Sequence, residues 1–272
     1  MRIATLCPLT VPFVKRVPSW LLYAFCSFVF AILVLPIFVV IPISFSSATY
    51  LRFPPPGFSL QWYRKYFLSG NWINPTVVSF QVAFTVAILA TVLGTMLALA
   101  LIRGKFPGRN VIYSIALSPL VVPLIITAIS IYFFFSRLHL VGTISGVILA
   151  HTVIAIPYVL VLVSATLKGF DLTLERAALN LGANPLKAFL LVTLPIIRPG
   201  VLSGGLFAFI HSFDELVIVL FISGSHAVTL PRRMWDGIVY EIDPTIAAVS
   251  SLLIGLSVLL MAAAELLRRR NV

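Results

Sequence analysis

Long apolar runs recur along this chain, and no soluble fold accommodates them. Trp20–Ile43 is the first, and five more follow at roughly 74–102, 111–135, 143–167, 199–222 and 245–267. Each is long enough for the ~20 residues of helix that cross a hydrocarbon core about 30 Å thick. Inside a bilayer the backbone must satisfy its own hydrogen bonds, so such runs form helices. The expected fold is therefore an all-α membrane protein with about six transmembrane helices. Composition agrees, since 60% of residues are hydrophobic and only 10% are charged, against roughly a quarter charged in soluble domains.

The formal net charge of +11 raises the question of nucleic acid. No soluble module carries a basic patch interleaved with aromatics, so that partner is excluded. The basic residues follow membrane topology instead. One set of flanks holds Arg2, Lys15, Arg16, Arg103, Lys105, Arg109, Lys168, Arg176, Lys187, Arg198 and Arg268 to Arg270. The opposite set holds Arg52, Arg64, Lys65, Arg137, Arg232 and Arg233. The first set outnumbers the second about two to one, which places both termini and residues 168–198 in the cytoplasm. The first apolar run is too long for a signal-peptide core and lacks a small-residue cleavage site, so it reads as an uncleaved span. Cys7 and Cys26 have no metal-like spacing and read as apolar filler.

Residues 171–195, DLTLERAALNLGANPLKAFLLVTLP, are the longest moderately polar run in the chain. Asp171 or Thr173 is placed to cap a short helix, and Glu175 then falls in its first turn, where negative charge suits the helix dipole. Ala177, Ala178 and Leu181 lie three and four apart and share a face. Gly182 ends the helix in a left-handed conformation. Asn184-Pro185 starts a second helix, which Pro195 is expected to stop.

This helix–Gly–helix resembles the cytoplasmic EAA loop of permease subunits in binding-protein-dependent ABC importers. That pattern is E-A-A, three residues, G, nine residues, I-x-L-P. Ala177, Ala178, Gly182, Val192, Leu194 and Pro195 stand at those spacings. Arg176 stands where the pattern has glutamate, and Glu175 lies one residue earlier. An amphipathic hairpin lying on the membrane surface is the alternative reading.

The resemblance runs from the second span to the last. It implies a type I ABC importer permease fold with a cytoplasmic coupling hairpin. The implied ATPase-coupling residues are Glu175, Arg176, Ala177, Ala178, Leu181, Gly182, Ala183 and Pro195. Implied partners are ABC ATPase subunits, a second permease subunit of paralogous type, a periplasmic substrate-binding protein and the lipid bilayer of a bacterial inner membrane. No GxxxxGK(S/T) phosphate loop occurs, so the chain is not expected to bind and hydrolyse ATP itself; the resemblance implies a transport subunit, not an enzyme, with no cofactor of its own. ATP and Mg are expected in the partner ATPase. The implied organisation is an N-terminal segment with the first span and an external loop (1–73), the transmembrane domain (74–267) and a basic tail (268–272).

The polar and helix-breaking residues of the third, fourth and fifth spans bear on function. Pro119 and Pro123 are expected to kink the third span where it faces protein or a cavity. Similar paired prolines occur in polyamine-type permeases, some with an acidic residue after the second; here that position is Leu124. His151 in the fourth span is best read as an interhelical hydrogen-bond partner. The fifth span reads FAFIHSFDELVIVLF, with His211, Phe213, Asp214 and Glu215. Adjacent carboxylates there cost about 2.5–3.5 kcal/mol each unless they face a cavity or partner. As one continuous helix from Pro199, the span puts Asp214 about 22 Å along, in the outer half of the membrane. His211 then shares a face with Asp214 and Glu215. A translocation pathway, a structural ion pair or cap, and a metal site compete for this cluster. The similar SFDE element of polyamine-type permeases favours the pathway for His211, Phe213, Asp214 and Glu215.

Two outer loops complete the chain. Pro54 to Pro56 forbid regular helix, and Trp62, Tyr63, Tyr66 and Phe67 behind them suit a membrane interface or the docking of an external partner. Residues 223–244 mix charges, with Arg232 and Arg233 as docking candidates by the resemblance. The carboxylates and the resemblance together point to a small organic cation as substrate, a polyamine such as putrescine or spermidine. Opines, amino-acid-like and other small polar solutes are the alternative within the importer class. A secondary transporter would favour inverted repeats, and an intramembrane enzyme would need a converging nucleophile and base; neither accounts for residues 171–195.

Overall fold

 The computed structural model describes residues 19–270 of the chain. Helices hold 79% of the described residues, and no strand occurs among them. Cys7, Arg2, Lys15 and Arg16 lie outside the described residues, as do the side chains of 268–270. The chain divides into two compact units, residues 66–242 and the described residues on either side of them.

The flanking unit contains α1 (Ser19–Ser44), most of α2 (Gln61–Leu68) and α12 (Thr245–Arg270), and α1 packs against α12. Cys26 is exposed on α1. The prolines 54–56 stay outside helix as expected, but α2 forms directly behind them. Its aromatics are tied to protein. The Trp62 indole donates to the Ser46 carbonyl at 2.8 Å, and Tyr63 shares a hydrogen bond with Ser44 at 2.7 Å. Asp243 leads into α12, accepting from the Thr245 amide at 2.9 Å and pairing with Lys65 at 2.9 Å. Burial pushes its carboxyl up, but the Thr245 hydroxyl and amide and the Lys65 ammonium outweigh this and hold it below the usual carboxylate range.

The larger unit is built on α3 (Gly70–Arg103), α6 (Ile144–Lys168) and α9 (Leu194–Asp214). Their contact faces repeat every four residues. Val82, Val86, Ala90, Gly94 and Ala98 are buried on α3, and Gly200, Gly204, Ala208 and Ser212 on α9. Between them α6 buries Val147, His151, Ala155, Val159 and Val163. Rows of small residues four apart let membrane helices approach closely, where packing rather than a hydrophobic drive holds them.

Two expected spans are interrupted. The third is two helices, α4 (Arg109–Leu117) with a short 3-10 turn and then α5 (Leu124–Arg137), bent by 104°. Pro123 is extended, and the residue before a proline is itself biased away from helix. The fifth ends as α9 at Asp214 and resumes as α10 (Val217–Ile222). In the other direction the fifth span is longer than expected. Pro195 does not stop the helix, because the five-residue π segment Phe189–Thr193 precedes it. Leu194 donates to the Phe189 carbonyl, so the wide turn absorbs the bond that proline cannot make. A continuous apolar helix of 30 residues thus runs from Pro185 to Asp214. Among the described residues, four helices are long and apolar enough to cross a membrane, or five if the bent pair is one span; α12 is 26 residues long, with its apolar stretch at Thr245–Leu259.

Candidate functional site: coupling hairpin and intramembrane cavity

The hairpin folds from local signals. Asp171 accepts from the Thr173 amide at 2.9 Å and caps α7 (Leu172–Asn180). That amide bond holds the Asp171 carboxyl below its usual range. Gly182 has φ +90°, with its amide donating to Leu179 and the Ala183 amide to Ala178, the paired bonds of a Schellman ending. Asn184 accepts from the Lys187 amide at 2.8 Å and starts α8 (Pro185–Ala188) with Pro185 in its first turn.

The predicted coupling residues divide by exposure. Arg176, Ala177, Leu181, Gly182 and Pro195 are exposed, Leu181 at 90%, while Ala178 and Ala183 are half-buried. Glu175 turns inward. Its Oε2 lies 2.7 Å from Arg103 Nη1 and accepts from the Thr193 hydroxyl at 2.5 Å.

The second candidate region lies where the two interrupted spans break. A cavity of about 360 Å³ is lined by Leu124 at the start of α5, Tyr158 on α6, and His211, Asp214 and Glu215. His211 packs against the Tyr158 ring at 4.7 Å. Asp214 is exposed, whereas Glu215 is 4% exposed. Glu215 is extended and caps α10, accepting from the Ile218 amide at 2.9 Å and the Val219 amide at 3.3 Å. His151 bridges to it, with Nε2 3.3 Å from Glu215 and Nδ1 sharing a hydrogen bond with Ser212 at 2.9 Å. The helical face expected for His211 and Glu215 therefore does not exist, because α9 has ended before Glu215. Phe213 does not line the cavity; it packs on Phe80 and Phe209 at 5.0 and 5.9 Å. Among the described residues, no three His, Cys, Asp or Glu side chains converge on a metal position.

Sequence reasoning missed Arg103, Thr193, Tyr158 and Ser212. Arg103 carried a signal, a cation closing the longest span, but its partner lies far along the chain. Arg232 and Arg233 are engaged within their own unit: Arg232 with Ser223 and the Gly224 carbonyl, Arg233 with Glu241 at 2.9 Å and over the Trp72 ring at 5.0 Å.

Residues 90–272 match the pattern of the binding-protein-dependent transport system inner membrane component family. The chain belongs to this family. It is 34% identical over 257 residues to the putrescine transport system permease protein PotI of Escherichia coli, covering 89% of this chain and 91% of that one. It is 31% identical over 248 residues to the spermidine/putrescine transport system permease protein PotC of Haemophilus influenzae, covering 91% and 96%. A chain from a bacterial ABC transporter involved in the import of the acidic polysaccharide alginate shares the fold, with TM-score 0.74 at 15% identity, covering 93% of this chain and 98% of that one. An amino acid ABC transporter gives 0.58 at 17% identity, covering 77% and 98%. This permease is thus an inner membrane component of an ABC importer with an all-α fold.

Proposed function

We propose that this permease forms part of the pathway for a small organic cation of the putrescine and spermidine class. The observation that carries the reading is the cavity at the two helix breaks, with the exposed Asp214 carboxylate beside His211 and the Tyr158 ring. A carboxylate at membrane depth attracts a cation, and aromatic faces add to that attraction. The names of the two permease relatives support the same substrate class. Glu215 and His151 shape the break, and Phe213 packs the neighbouring helix face.

In this reading the chain pairs with a second permease, receives substrate from a periplasmic binding protein and rests on ATPase subunits that use ATP and Mg. The transport domain spans 74–267, and both termini and the hairpin face the cytoplasm. ATP-driven closure of the ATPase pair pushes on α7 through Arg176, Ala177, Ala178 and Leu181. Gly182, Ala183 and Pro195 keep the hairpin's angle to α9.

The test is uptake of labelled putrescine and spermidine by cells carrying the full transporter set, with binding-protein occupancy held constant. Wild type takes up at least one amine in an ATP-dependent manner, and Asp214→Asn loses that uptake while still reaching the membrane. Exclusion of both amines by a complex that hydrolyses ATP would refute the substrate class.

A further inference from the structure

We propose that Arg103, Glu175 and Thr193 form a clasp that carries motion of α7 into the ends of α3 and α9. Glu175 is then a positioning residue, and Arg176 is the charge of this pair that faces the ATPase. The proposal rests on the coupling role given to the hairpin above.

No residue of α7 is buried, so packing alone does not fix the helix to the spans. The clasp does. Arg103 is the last residue of α3, where a cation suits the negative end of the helix dipole. Its guanidinium reaches both sides of the start of α7, lying 2.7 Å from Glu175 and 5.2 Å over the Phe170 ring. Glu175 also accepts from Thr193 at 2.5 Å. Thr193 is fully buried and is the last residue of the π segment. One residue of helix is a rotation of about 100°, so the extra residue of that wide turn sets the direction in which Thr193 points. The Arg103 and Glu175 side chains are 23% and 20% exposed, so solvent and salt screen them less than a surface pair. Removing either leaves a half-buried charge without its partner.

The test uses the assembled transporter without nucleotide, read by amide hydrogen exchange over 172–180, together with uptake per ATP hydrolysed. Glu175→Gln is expected to speed exchange about tenfold and to lower uptake per ATP several-fold. Thr193→Val keeps both charges and the side-chain shape, and is expected to move both readouts in the same direction by less. It also serves if Glu175→Gln does not assemble. The reversed pair Arg103→Glu with Glu175→Arg should recover part of both. Unchanged exchange overturns the clasp, and faster exchange with unchanged uptake per ATP overturns its role in transmission. Failure of the coupling reading itself looks different: Gly182→Val would then transport normally.

Discussion

Gly94 on α3 faces Val159 on α6, and Gly204 on α9 meets the same valine from the other side. A Cβ at Gly94 would lie 2.7 Å from Val159 Cβ, 2.8 Å from its Cγ1 and 3.3 Å from the Ile156 carbonyl. No side-chain rotation relieves the closest contact, because the position of Val159 Cβ is fixed by the backbone. Overpacking of this kind costs about 1–3 kcal/mol. Replacing a helical glycine by alanine returns about 0.5–1 kcal/mol. Gly94→Ala should therefore destabilise by up to about 2.5 kcal/mol, a fall of up to roughly 10 °C in thermal midpoint for a chain of this size. The assay is thermal unfolding of the purified transporter followed by size-exclusion chromatography. Gly255→Ala is the control, since nothing lies within 4 Å of a Cβ there, and it should be neutral or slightly stabilising. Val159→Ala in the Gly94→Ala background should not restore stability, because it removes Cγ1 but keeps the Cβ at 2.7 Å. Equal stability of Gly94→Ala and Gly255→Ala would refute the three-helix crossing.

The two adjacent carboxylates should separate cleanly. Glu215→Ala strands His151 and uncaps α10, and should cost about 3–5 kcal/mol, read as lost protein in the membrane. Asp214→Asn should leave the protein level unchanged and lower uptake; equal losses of protein would contradict the division. Asp243→Ala should cost about 0.5–2 kcal/mol through the lost cap. Because the Asp243 carboxyl is held low, its contribution is present above the ordinary value of about 3.9 and is lost as pH falls through the folded value. The midpoint difference between wild type and Asp243→Ala should therefore stay constant from pH 8 to 5, on the scale of that ordinary value, and a difference that vanished by pH 6 would contradict it.

The hairpin was legible because its signals are local. Asp171, Gly182 and Asn184-Pro185 each act on backbone within a few residues. The long apolar runs were legible for the same reason, as length and composition suffice. What escaped was set by distant partners. The face shared by His211 and Glu215 assumed a continuous helix, but Glu215 turns to cap α10 and meet His151. Pro195 looked like a stop because a π turn that accommodates it leaves no simple periodic mark. Glu175 read as a first-turn charge, and only the packed structure places it against Arg103 and Thr193.

The most direct test of ATP-coupled import through this hairpin is uptake by proteoliposomes carrying the whole transporter with Gly182→Val. Gly182 sits at φ +90° with no neighbour within 4 Å, so the substitution strains the backbone by about 1–2 kcal/mol without a steric clash. The variant should reach the membrane and assemble, yet lose ATP-driven uptake. Normal uptake by the assembled variant would contradict it.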